Sequence, residues 1–429
     1  MRLETVAVSA GRGRIDTASP LGRSLGESGV AHVPGIDLST TYGFRTSTAV
    51  ADSMDALLGG DFETANPVYA RLHNPTVAGF EAALAQLEAA PEAVAFATGM
   101  AAITAVLMAA ARDAKGRAFP HVVAVRPVYG GTDHILTSSL IGSTVSWVEE
   151  HEVASAIGED TGLVFLETPA NPTLTMIDIR CVVDQVRRIE GRLGRPVAVA
   201  VDSTFATPVL QNPLSFGADF SVHSATKFLG GHGDAMGGVV ATSESWARRL
   251  RQVRMITGGI LHPLAGYLLH RGLQTLPIRV REQQKNAEVL AGRLGAHPAV
   301  ESVFFPGLNG SERENALLAT QQRGPGSVLS FRVRGGVSSS QRVLESLKLI
   351  TRAVSLGSVD TLIQAPALLT HRVVDPSDRV RSGVPEDLLR LSVGLESVED
   401  LWDDLERALG EGRTTARSTR SDIHTPHRV

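Results

Sequence analysis

The sequence predicts an α/β protein with a large, mostly parallel sheet domain followed by a smaller α+β domain at the C-terminal end. From about residue 63 to 257, apolar segments of strand length alternate with helical patterns, which implies parallel strands joined by right-handed crossovers. Beyond about residue 258 the pattern changes to a long helix followed by shorter strands and helices. A chain of 429 residues also exceeds what one small core can fill, so we expect at least two domains.

The predicted strands of the larger domain are short apolar runs without polar alternation, as expected where helices cover both faces of a sheet. They are HVVAVRPVY, GLVFLETPA, PVAVAVDST and GGVVATSE. The segment TVAGFEAALAQLEAA has the helical period, with Phe80, Leu84 and Leu87 on one side. Residues 93–110 are long enough for a membrane span, but their many alanines and Gly99 favour a buried strand that runs into a buried helix.

The pattern divides the chain into four segments. We expect an extended, irregular N-terminal arm over 1–62, the larger domain over 63–257 and the smaller domain over 258–411. In the smaller domain a long helix is broken near Pro277, and VESVFFPG, GSVLSFRV and LLRLSVGLE are strands. Residues 412–429 are polar and basic with almost no apolar side chains, which predicts a disordered tail.

Composition and charge narrow the possible classes of function. A net charge of −4 gives no basic footprint for nucleic acid, and we expect neither a nucleic-acid partner nor a membrane. The single cysteine, Cys181, cannot form an intrachain disulfide, so the cytoplasm is the simplest location. The first residues have no long apolar core of the kind that marks a signal peptide.

Lys227 is the residue that most needs an explanation. It lies in HSATKFLGGHGDAMGG, whereas Lys115, Lys285 and Lys348, the other lysines, lie in a polar turn or on polar sides of helical segments. The phosphate-binding loop of nucleotide-binding proteins has its lysine after the glycines, but here the glycines follow the lysine. The nucleotide interpretation therefore fails.

A metal site and a Schiff-base lysine are the remaining interpretations of this segment. His223, His232 and Asp234 match no familiar ligand spacing, and the glycines around them give little rigidity, so we expect no metal. A partly desolvated amine loses its proton more easily and can attack a carbonyl carbon. Small neighbours such as Ser224 and Gly230 leave room for a bulky aldehyde cofactor.

Pyridoxal phosphate is an aldehyde cofactor whose requirements the sequence meets. Its ring nitrogen needs a carboxylate, and Asp202 ends a buried strand, where ligands bind in α/β sheets. Its phosphate needs N–H groups and hydroxyls. A strand–helix junction offers Gly99 and Met100, and the residues next to the lysine offer Ser224 and Thr226.

Two further residues complete this pattern. The cofactor ring needs an aromatic partner, and Tyr129 follows another buried strand. A substrate carboxylate needs an arginine, and Arg390 lies in the apolar strand LLRLSVGLE, although strand alternation could instead turn it toward solvent. Each of these residues also has a plain structural interpretation as a turn or surface residue. Their joint occurrence, in an order that suits one cofactor, favours the cofactor.

The sequence resembles the Cys/Met-metabolism family of pyridoxal-phosphate enzymes from about residue 35 to 410. The motifs that carry the resemblance are YARLHNPT, ATGMAAI, VYGGT, ETPANPTL, VDSTFATP, HSATKFLGGHGD, SLGSVDTLIQAPALLTH and LRLSVGLE. The family contains cystathionine γ-synthase, cystathionine lyases, methionine γ-lyase and O-acylhomoserine sulfhydrylases. The resemblance implies fold type I of the pyridoxal-phosphate-dependent transferases, with a seven-stranded-type sheet in the larger domain.

The resemblance also implies roles for the matching positions. Lys227 would carry the cofactor and act as the base, Asp202 would pair with the ring nitrogen, and Tyr129 would stack on the ring and protonate the leaving group. The other residues that would hold the cofactor within the subunit are Gly99, Met100, Thr204, Ser224 and Thr226, and those that would bind the substrate are Asn171, Ser355 and Arg390. Tyr69 and Arg71 would reach the phosphate bound by a neighbouring subunit, which implies at least a dimer and usually a tetramer.

For the reaction, the resemblance implies chemistry at the γ-carbon of an amino-acid substrate. GHGD and SLGSVDTL resemble methionine γ-lyases and O-acylhomoserine sulfhydrylases more than cystathionine γ-synthases. Of these, we expect a carbon–sulfur lyase that releases a 2-oxoacid, ammonia and a thiol. The alternative is γ-replacement on an acylated homoserine, as in a sulfhydrylase or cystathionine γ-synthase, and a role in specialised metabolism stays open. Three positions depart from the family: Gly131 where methionine γ-lyases often have cysteine, Asp360 where glutamate is frequent, and Ser203 where asparagine is usual.

Overall fold

The computed structural model describes residues 1–11, 32–60, 66–113, 115–308 and 310–418. Its largest element is a 7-stranded sheet. The strands of this sheet are β1 (Glu92–Phe96), β2 (His121–Val125), β3 (Thr144–Val148), β4 (Thr161–Glu167), β5 (Ala198–Asp202), β6 (Phe220–His223) and β7 (Gly238–Thr242).

The strand order in this sheet is β1–β7–β6–β5–β4–β2–β3. Strand β7 is antiparallel to both of its neighbours, and the other pairs are parallel. The predicted mostly parallel sheet is therefore confirmed. Strand β7 is the exception because the segment between β6 and β7 contains no crossover helix, and an antiparallel pair needs none.

Helices cover both faces of the large sheet. The helices up to β8 are α1 (Leu3–Ser9), α2 (Ser47–Gly59), α3 (Pro75–Glu88), α4 (Gly99–Ala110), α5 (Gly130–Thr137), α6 (Val153–Ala156), α7 (Ile179–Leu193), α8 (Thr207–Leu210), α9 (Glu244–Thr257), α10 (Pro263–Leu273) and α11 (Leu276–Ala296). Alternate residues of one strand enter different cores: Ala200 packs with residues of α4 and α9, and Val201 packs with residues of α7. This double burial explains why the strands are apolar at consecutive positions.

A 5-stranded sheet forms the second unit, in the order β10–β11–β12–β9–β8. Its strands are β8 (Val300–Phe304), β9 (Val328–Val333), β10 (Thr351–Arg352), β11 (Leu362–Gln364) and β12 (Leu388–Ser392), and the helices that accompany it are α12 (Glu312–Thr320), α13 (Gly336–Ser346), α14 (Pro376–Arg381) and α15 (Val398–Ser418). Only β10 and β11 pair in parallel among the described strands of this sheet. Its core is separate from the cores of the large sheet.

The N-terminal segment is more regular than the extended arm that we predicted, because α1 and α2 lie within it. The Thr46 side chain caps α2 by accepting the Ala49 N–H, and Gly60, with φ of 89°, ends the helix in the left-handed conformation. Thr and Gly, whose scatter indicated irregular structure, thus act here as helix caps. Part of the predicted arm, residues 12–31, lies outside the described residues.

Other predicted features can be located in the structure. The helix break predicted near Pro277 lies between α10 and α11, and Pro277 is in the first turn of α11. Residues 93–110 belong to β1 and α4, and none of the helices in the described ranges is both long and apolar enough to cross a membrane. Helix α15 extends to Ser418, so the start of the predicted disordered tail is helical, and residues 419–429 lie outside the described part.

Candidate active site

The carboxyl ends of β2, β4, β5 and β6 open into a cavity of about 640 Å³. The N-terminus of α4 forms part of its wall, and the segment around Ser355 and strand β12 close it from the smaller unit. The predicted site residues that line the cavity are Gly99, Met100, Tyr129, Asn171, Asp202, Thr204, Ser224, Thr226, Lys227, Ser355 and Arg390. The structure thus brings together residues that lie far apart in the sequence.

Lys227 lies in the turn after β6, and its amine points into the cavity. The Lys227 Nζ donates a hydrogen bond to Ser355 Oγ at 2.8 Å. Burial, and to a smaller extent the positive charge of Arg390, lower the pKa of Lys227 to about 8. A substantial fraction of the amine is therefore unprotonated near neutral pH, as a nucleophilic or basic lysine requires.

Arg390 is buried, and it does not face solvent as strand alternation alone allowed. The reason is that both faces of β12 are covered: Leu389 and Leu391 pack in the core of the smaller unit, and the opposite face, with Arg390, borders the cavity. Its guanidinium donates to Asn171 Oδ1 at 2.9 Å through Nη1 and to the Ser355 carbonyl oxygen at 2.6 Å through Nη2. Burial lowers the pKa of Arg390 to about 10, so the guanidinium stays charged at neutral pH and can bind a carboxylate.

The backbone of Ser355 is in an unfavourable conformation for a residue with a side chain. Its φ of 88° lies in the left-handed region, which residues other than glycine rarely occupy. Non-glycine residues in this region persist where the surrounding structure holds them, often at functional sites. Here two hydrogen bonds hold Ser355 in place: its carbonyl oxygen accepts from Arg390, and its Oγ accepts from Lys227.

Asp202 is a buried carboxylate at the carboxyl end of β5. Its Oδ1 accepts hydrogen bonds from the Thr204 N–H at 3.0 Å and the Thr204 hydroxyl at 2.6 Å. The same hydroxyl oxygen accepts the Ser224 N–H at 2.9 Å, so Thr204 links Asp202 to the segment that carries Lys227. Burial raises the pKa of Asp202, while the Thr204 bonds and the nearby His223 oppose this rise.

Glu167 lines the same cavity and is not among the predicted site residues. It ends β4 and pairs in register with Asp202. Its two carboxylate oxygens accept the Tyr129 N–H at 2.6 Å and the Asn171 N–H at 2.9 Å. Burial and the neighbouring Asp202 raise the pKa of Glu167 well above its ordinary value. Like Asp202, Glu167 is an acid at the end of a buried strand, so the same sequence signal was present for both residues.

The N-terminus of α4 provides N–H groups at the other end of the cavity. The Thr98 side chain caps the helix by accepting the Ala101 N–H at 3.0 Å. Helix geometry leaves the N–H groups of Gly99 and Met100 without acceptors in their own helix. A Cβ atom on Gly99 would lie 2.8 Å from the Ser224 Cβ, so only glycine lets the helix and the Ser224 segment approach this closely.

Thr226 is hydrogen-bonded to Gly237, the residue before β7. Its hydroxyl donates to the Gly237 carbonyl oxygen at 3.2 Å and accepts the Gly237 N–H at 3.0 Å. The two histidines considered as metal ligands make hydrogen bonds within the protein. His223 Nε2 bonds Glu88 Oε1 at 2.6 Å, and His232 Nδ1 bonds the Gly230 carbonyl oxygen. In the described ranges no group of His, Cys, Asp and Glu side chains has the arrangement of a metal site.

The residues of the cavity fit pyridoxal phosphate. The volume suits a cofactor together with a small substrate. Lys227 offers the amine, and Asp202 offers a buried carboxylate for a protonated ring nitrogen. Gly99 and Met100 offer N–H groups at a helix N-terminus for the phosphate.

Tyr69 and Arg71 lie outside the cavity of their own chain. The Tyr69 side chain is exposed, and the Arg71 guanidinium lies 5.5 Å from the centre of its ring. Arg71 Nη1 also donates to the Met255 carbonyl oxygen at 2.5 Å. Both side chains therefore stand on the surface of the single chain, where a neighbouring subunit can meet them.

The three departures from the family have different structural settings. A Cβ atom on Gly131 would lie 2.7 Å from the Tyr129 Cε1, so a larger residue there requires the tyrosine ring to move. Ser203 is buried, and its hydroxyl oxygen accepts a hydrogen bond from Gln211 Nε2 at 3.1 Å. Asp360 is exposed.

Sequence comparison matches the chain to known proteins. A sequence profile described as Cys/Met metabolism PLP-dependent enzyme matches residues 21–410. The chain is 52% identical over 396 residues to an L-methionine gamma-lyase of Brevibacterium sandarakinum, covering 91% of this chain and 96% of that protein. It is 50% identical over 430 residues to an L-methionine gamma-lyase of Streptomyces avermitilis, covering 100% of this chain and 94% of that protein.

The fold also has well-matched solved structures. A cystathionine gamma synthase from Xanthomonas oryzae pv. oryzae, in complex with aminoacrylate and cysteine, superimposes with a TM-score of 0.83 at 33% identity. The match covers 97% of this chain and 99% of that chain. Fold, cavity and sequence similarity agree, and the chain belongs to the Cys/Met metabolism family of pyridoxal-phosphate-dependent enzymes.

Proposed function

We propose that this protein is an L-methionine γ-lyase, which converts L-methionine and water into methanethiol, 2-oxobutyrate and ammonia. The observation that carries the proposal is the 52% identity, over 91% of the chain, to a relative named L-methionine gamma-lyase. The cavity supports it, since an amine, a buried carboxylate, a tyrosine and a buried arginine line one space. Elimination at the γ-carbon can use each of these groups for binding or for proton transfer.

The residues divide the work of binding and proton transfer. Arg390 binds the α-carboxylate of methionine, and Asn171 holds the guanidinium in place. Bound pyridoxal phosphate withdraws electrons from the substrate, which makes the hydrogens on Cα and Cβ acidic. Lys227 Nζ takes the proton from Cα, which its lowered pKa permits near neutral pH. Loss of a second proton, from Cβ, supplies the electron pair that expels the sulfur from Cγ, and the Tyr129 hydroxyl gives a proton to that sulfur.

An oligomer with shared active sites is part of the proposal. Tyr69 and Arg71 reach the phosphate site of a neighbouring subunit, with a dimer as the minimum and a tetramer as the expected state. A groove of about 430 Å³ next to them supports such an interface, because it is lined largely by apolar side chains such as Leu58, Met255 and Ile256.

A cytoplasmic location completes the proposal, supported by the one free cysteine, Cys181.

Two substrate assays test the reaction. The purified protein, loaded with pyridoxal phosphate, is given L-methionine alone, and 2-oxobutyrate and methanethiol are followed. It is then given O-acetylhomoserine with sulfide or cysteine, and the thiol or thioether product is followed. We expect turnover of methionine and none in a Lys227→Ala control.

Gamma-replacement is the second candidate, favoured by the structural match to a cystathionine gamma synthase at 33% identity. If only the homoserine assay gives product, the enzyme is a γ-replacement enzyme and the lyase proposal is wrong.

A further inference from the structure

Glu167 is a buried carboxylate with no direct part in the proposed reaction. It accepts the Tyr129 N–H at 2.6 Å on Oε2 and the Asn171 N–H at 2.9 Å on Oε1. Tyr129 follows β2 and Asn171 follows β4, so one side chain joins two segments of the cavity wall. The side chains of both partners line the cavity.

From Asn171, hydrogen bonds continue to the lysine. Asn171 Oδ1 accepts from Arg390 Nη1 at 2.9 Å, and Arg390 Nη2 donates to the Ser355 carbonyl oxygen at 2.6 Å. Ser355 Oγ then accepts from Lys227 Nζ at 2.8 Å. In such a buried chain of bonds, the position of each group constrains the next.

We propose that Glu167 is a positioning residue, whose carboxylate fixes the backbones of Tyr129 and Asn171 and so sets the tyrosine and the Asn171–Arg390 pair relative to Lys227. The inference deepens the proposed function and, for substrate turnover, rests on it. A purely structural role would only satisfy two buried N–H groups. A positioning role requires in addition that catalysis depends on where those groups stand.

The chemistry of this position favours a carboxylate. Both of its oxygens accept, whereas a glutamine has one acceptor oxygen and would turn its NH₂ group toward one of the two N–H donors. Burial and the adjacent Asp202 oppose ionisation of this carboxyl group, because both raise the pKa of Glu167. The two N–H donors oppose that rise.

The test compares Glu167→Gln with Asp404→Asn in the loaded enzyme. Asp404 is a matched control, since it is also buried and accepts the N–H groups of Lys348, Leu349 and Ile350, but it belongs to the smaller unit and not to the cavity. The measurements are the Kd of pyridoxal phosphate, the circular dichroism of its visible absorption band, and kcat and KM for L-methionine.

In Glu167→Gln we expect kcat/KM to fall about 10- to 100-fold, as for the loss of one hydrogen bond to a buried charged group. We also expect a higher KM, a weaker cofactor affinity and an altered circular dichroism of the cofactor. Asp404→Asn should lower the thermal midpoint and leave kcat/KM and the cofactor signal within about twofold of wild type.

A double-mutant cycle separates positioning from general damage. If the two residues act independently, the fold-losses of kcat/KM in Glu167→Gln and Asn171→Ala multiply in the double variant. We expect the double variant to lose at least about threefold less than that product, because both residues lie on one chain of hydrogen bonds. Combined with Asp404→Asn, the losses should multiply. Losses that multiply in both pairs would overturn the proposal.

Further controls keep the result decisive. If Glu167→Gln does not fold, Glu167→Asp takes its place, because it keeps the charge but is one methylene too short to hold both N–H groups. Wild-type values of cofactor affinity, circular dichroism and kcat/KM in the folded variant would contradict the proposal. If the wild type binds the cofactor but does not consume methionine, the proposed function fails, and the affinity and circular-dichroism measurements still decide the role of Glu167.

Discussion

At the residue scale, the environment of one amine sets the chemistry of the site. Lys227 is held in a cavity where burial and the charge of Arg390 disfavour its protonated form, so its pKa falls to about 8. Ser355 Oγ, at 2.8 Å, holds the amine in place. A lysine in solution keeps its proton to about pH 10.4 and would be almost inert at neutral pH.

The pH dependence of cofactor capture follows from this shift. The neutral amine is the nucleophile, so the rate at which cofactor-free protein takes up pyridoxal phosphate on Lys227 should rise with pH through about 8 and then level off. Borohydride trapping over a pH series, read by peptide mass spectrometry, measures this rate. Labelling of the exposed Lys285 in the same samples is the reference. A rate on Lys227 that still climbs at pH 10 would contradict the predicted environment.

At the element scale, the start of α4 is both a helix cap and half of a binding site. The Thr98 side chain accepts the Ala101 N–H. The N–H groups of Gly99 and Met100, which line the cavity, have no acceptor in the helix and stay available to a ligand. The positive end of the helix dipole adds to their attraction for a phosphate. The geometry of this one turn therefore bears on stability and on cofactor affinity together.

Removal of this cap should affect both properties. Thr98→Ala is expected to cost about 1 kcal/mol of stability and to raise the Kd of pyridoxal phosphate several-fold, because the first turn becomes less ordered. Ser311→Ala is the matched control, since Ser311 caps α12 by accepting the Glu314 N–H far from the cavity. It should lower stability by a similar amount with no change in Kd. Thermal unfolding and a cofactor titration of both variants give the comparison.

At the scale of the whole molecule, the site exists only where the two sheets meet. Lys227 and Asn171 come from the large sheet, and Ser355 and Arg390 come from the smaller unit. The proposed oligomer extends this arrangement, because Tyr69 and Arg71 stand on the surface of their own chain. Each complete site would then draw on two subunits.

Mixing of two defective subunits tests that arrangement. Lys227→Ala lacks the amine, and Arg71→Ala is expected to bind pyridoxal phosphate weakly while its lysine is intact. In a co-expressed mixture, a shared site pairs the intact lysine of one subunit with the intact arginine of the other. About a quarter of the wild-type activity should then return at limiting cofactor, as random pairing in a symmetric dimer requires. Activity no higher than the average of the separate variants would argue that each subunit builds its site alone.

Local patterns predicted much of the fold and part of the site. The buried strands are continuous apolar runs because both faces of the large sheet are covered, and such runs can be recognised without knowing their partners. Lys227 and Asp202 can also be recognised from their local sequence. Lys227 is a lysine followed by glycines, and Asp202 is an acid at the end of a buried strand. Glu167 met the second criterion and was overlooked, so this omission was not forced by the sequence.

The sequence by itself therefore determined the α/β class, the family motifs and the amine around which the cavity forms. The tertiary structure alone decided that Arg390 turns inward to Asn171, a residue 219 positions away in the chain. It also decided that Glu167 joins the segments after β2 and β4. The physical reason is that segments distant in the chain cover both faces of β12, so the face that carries Arg390 meets the cavity rather than solvent, and residues next to Arg390 in the sequence do not reveal that cover.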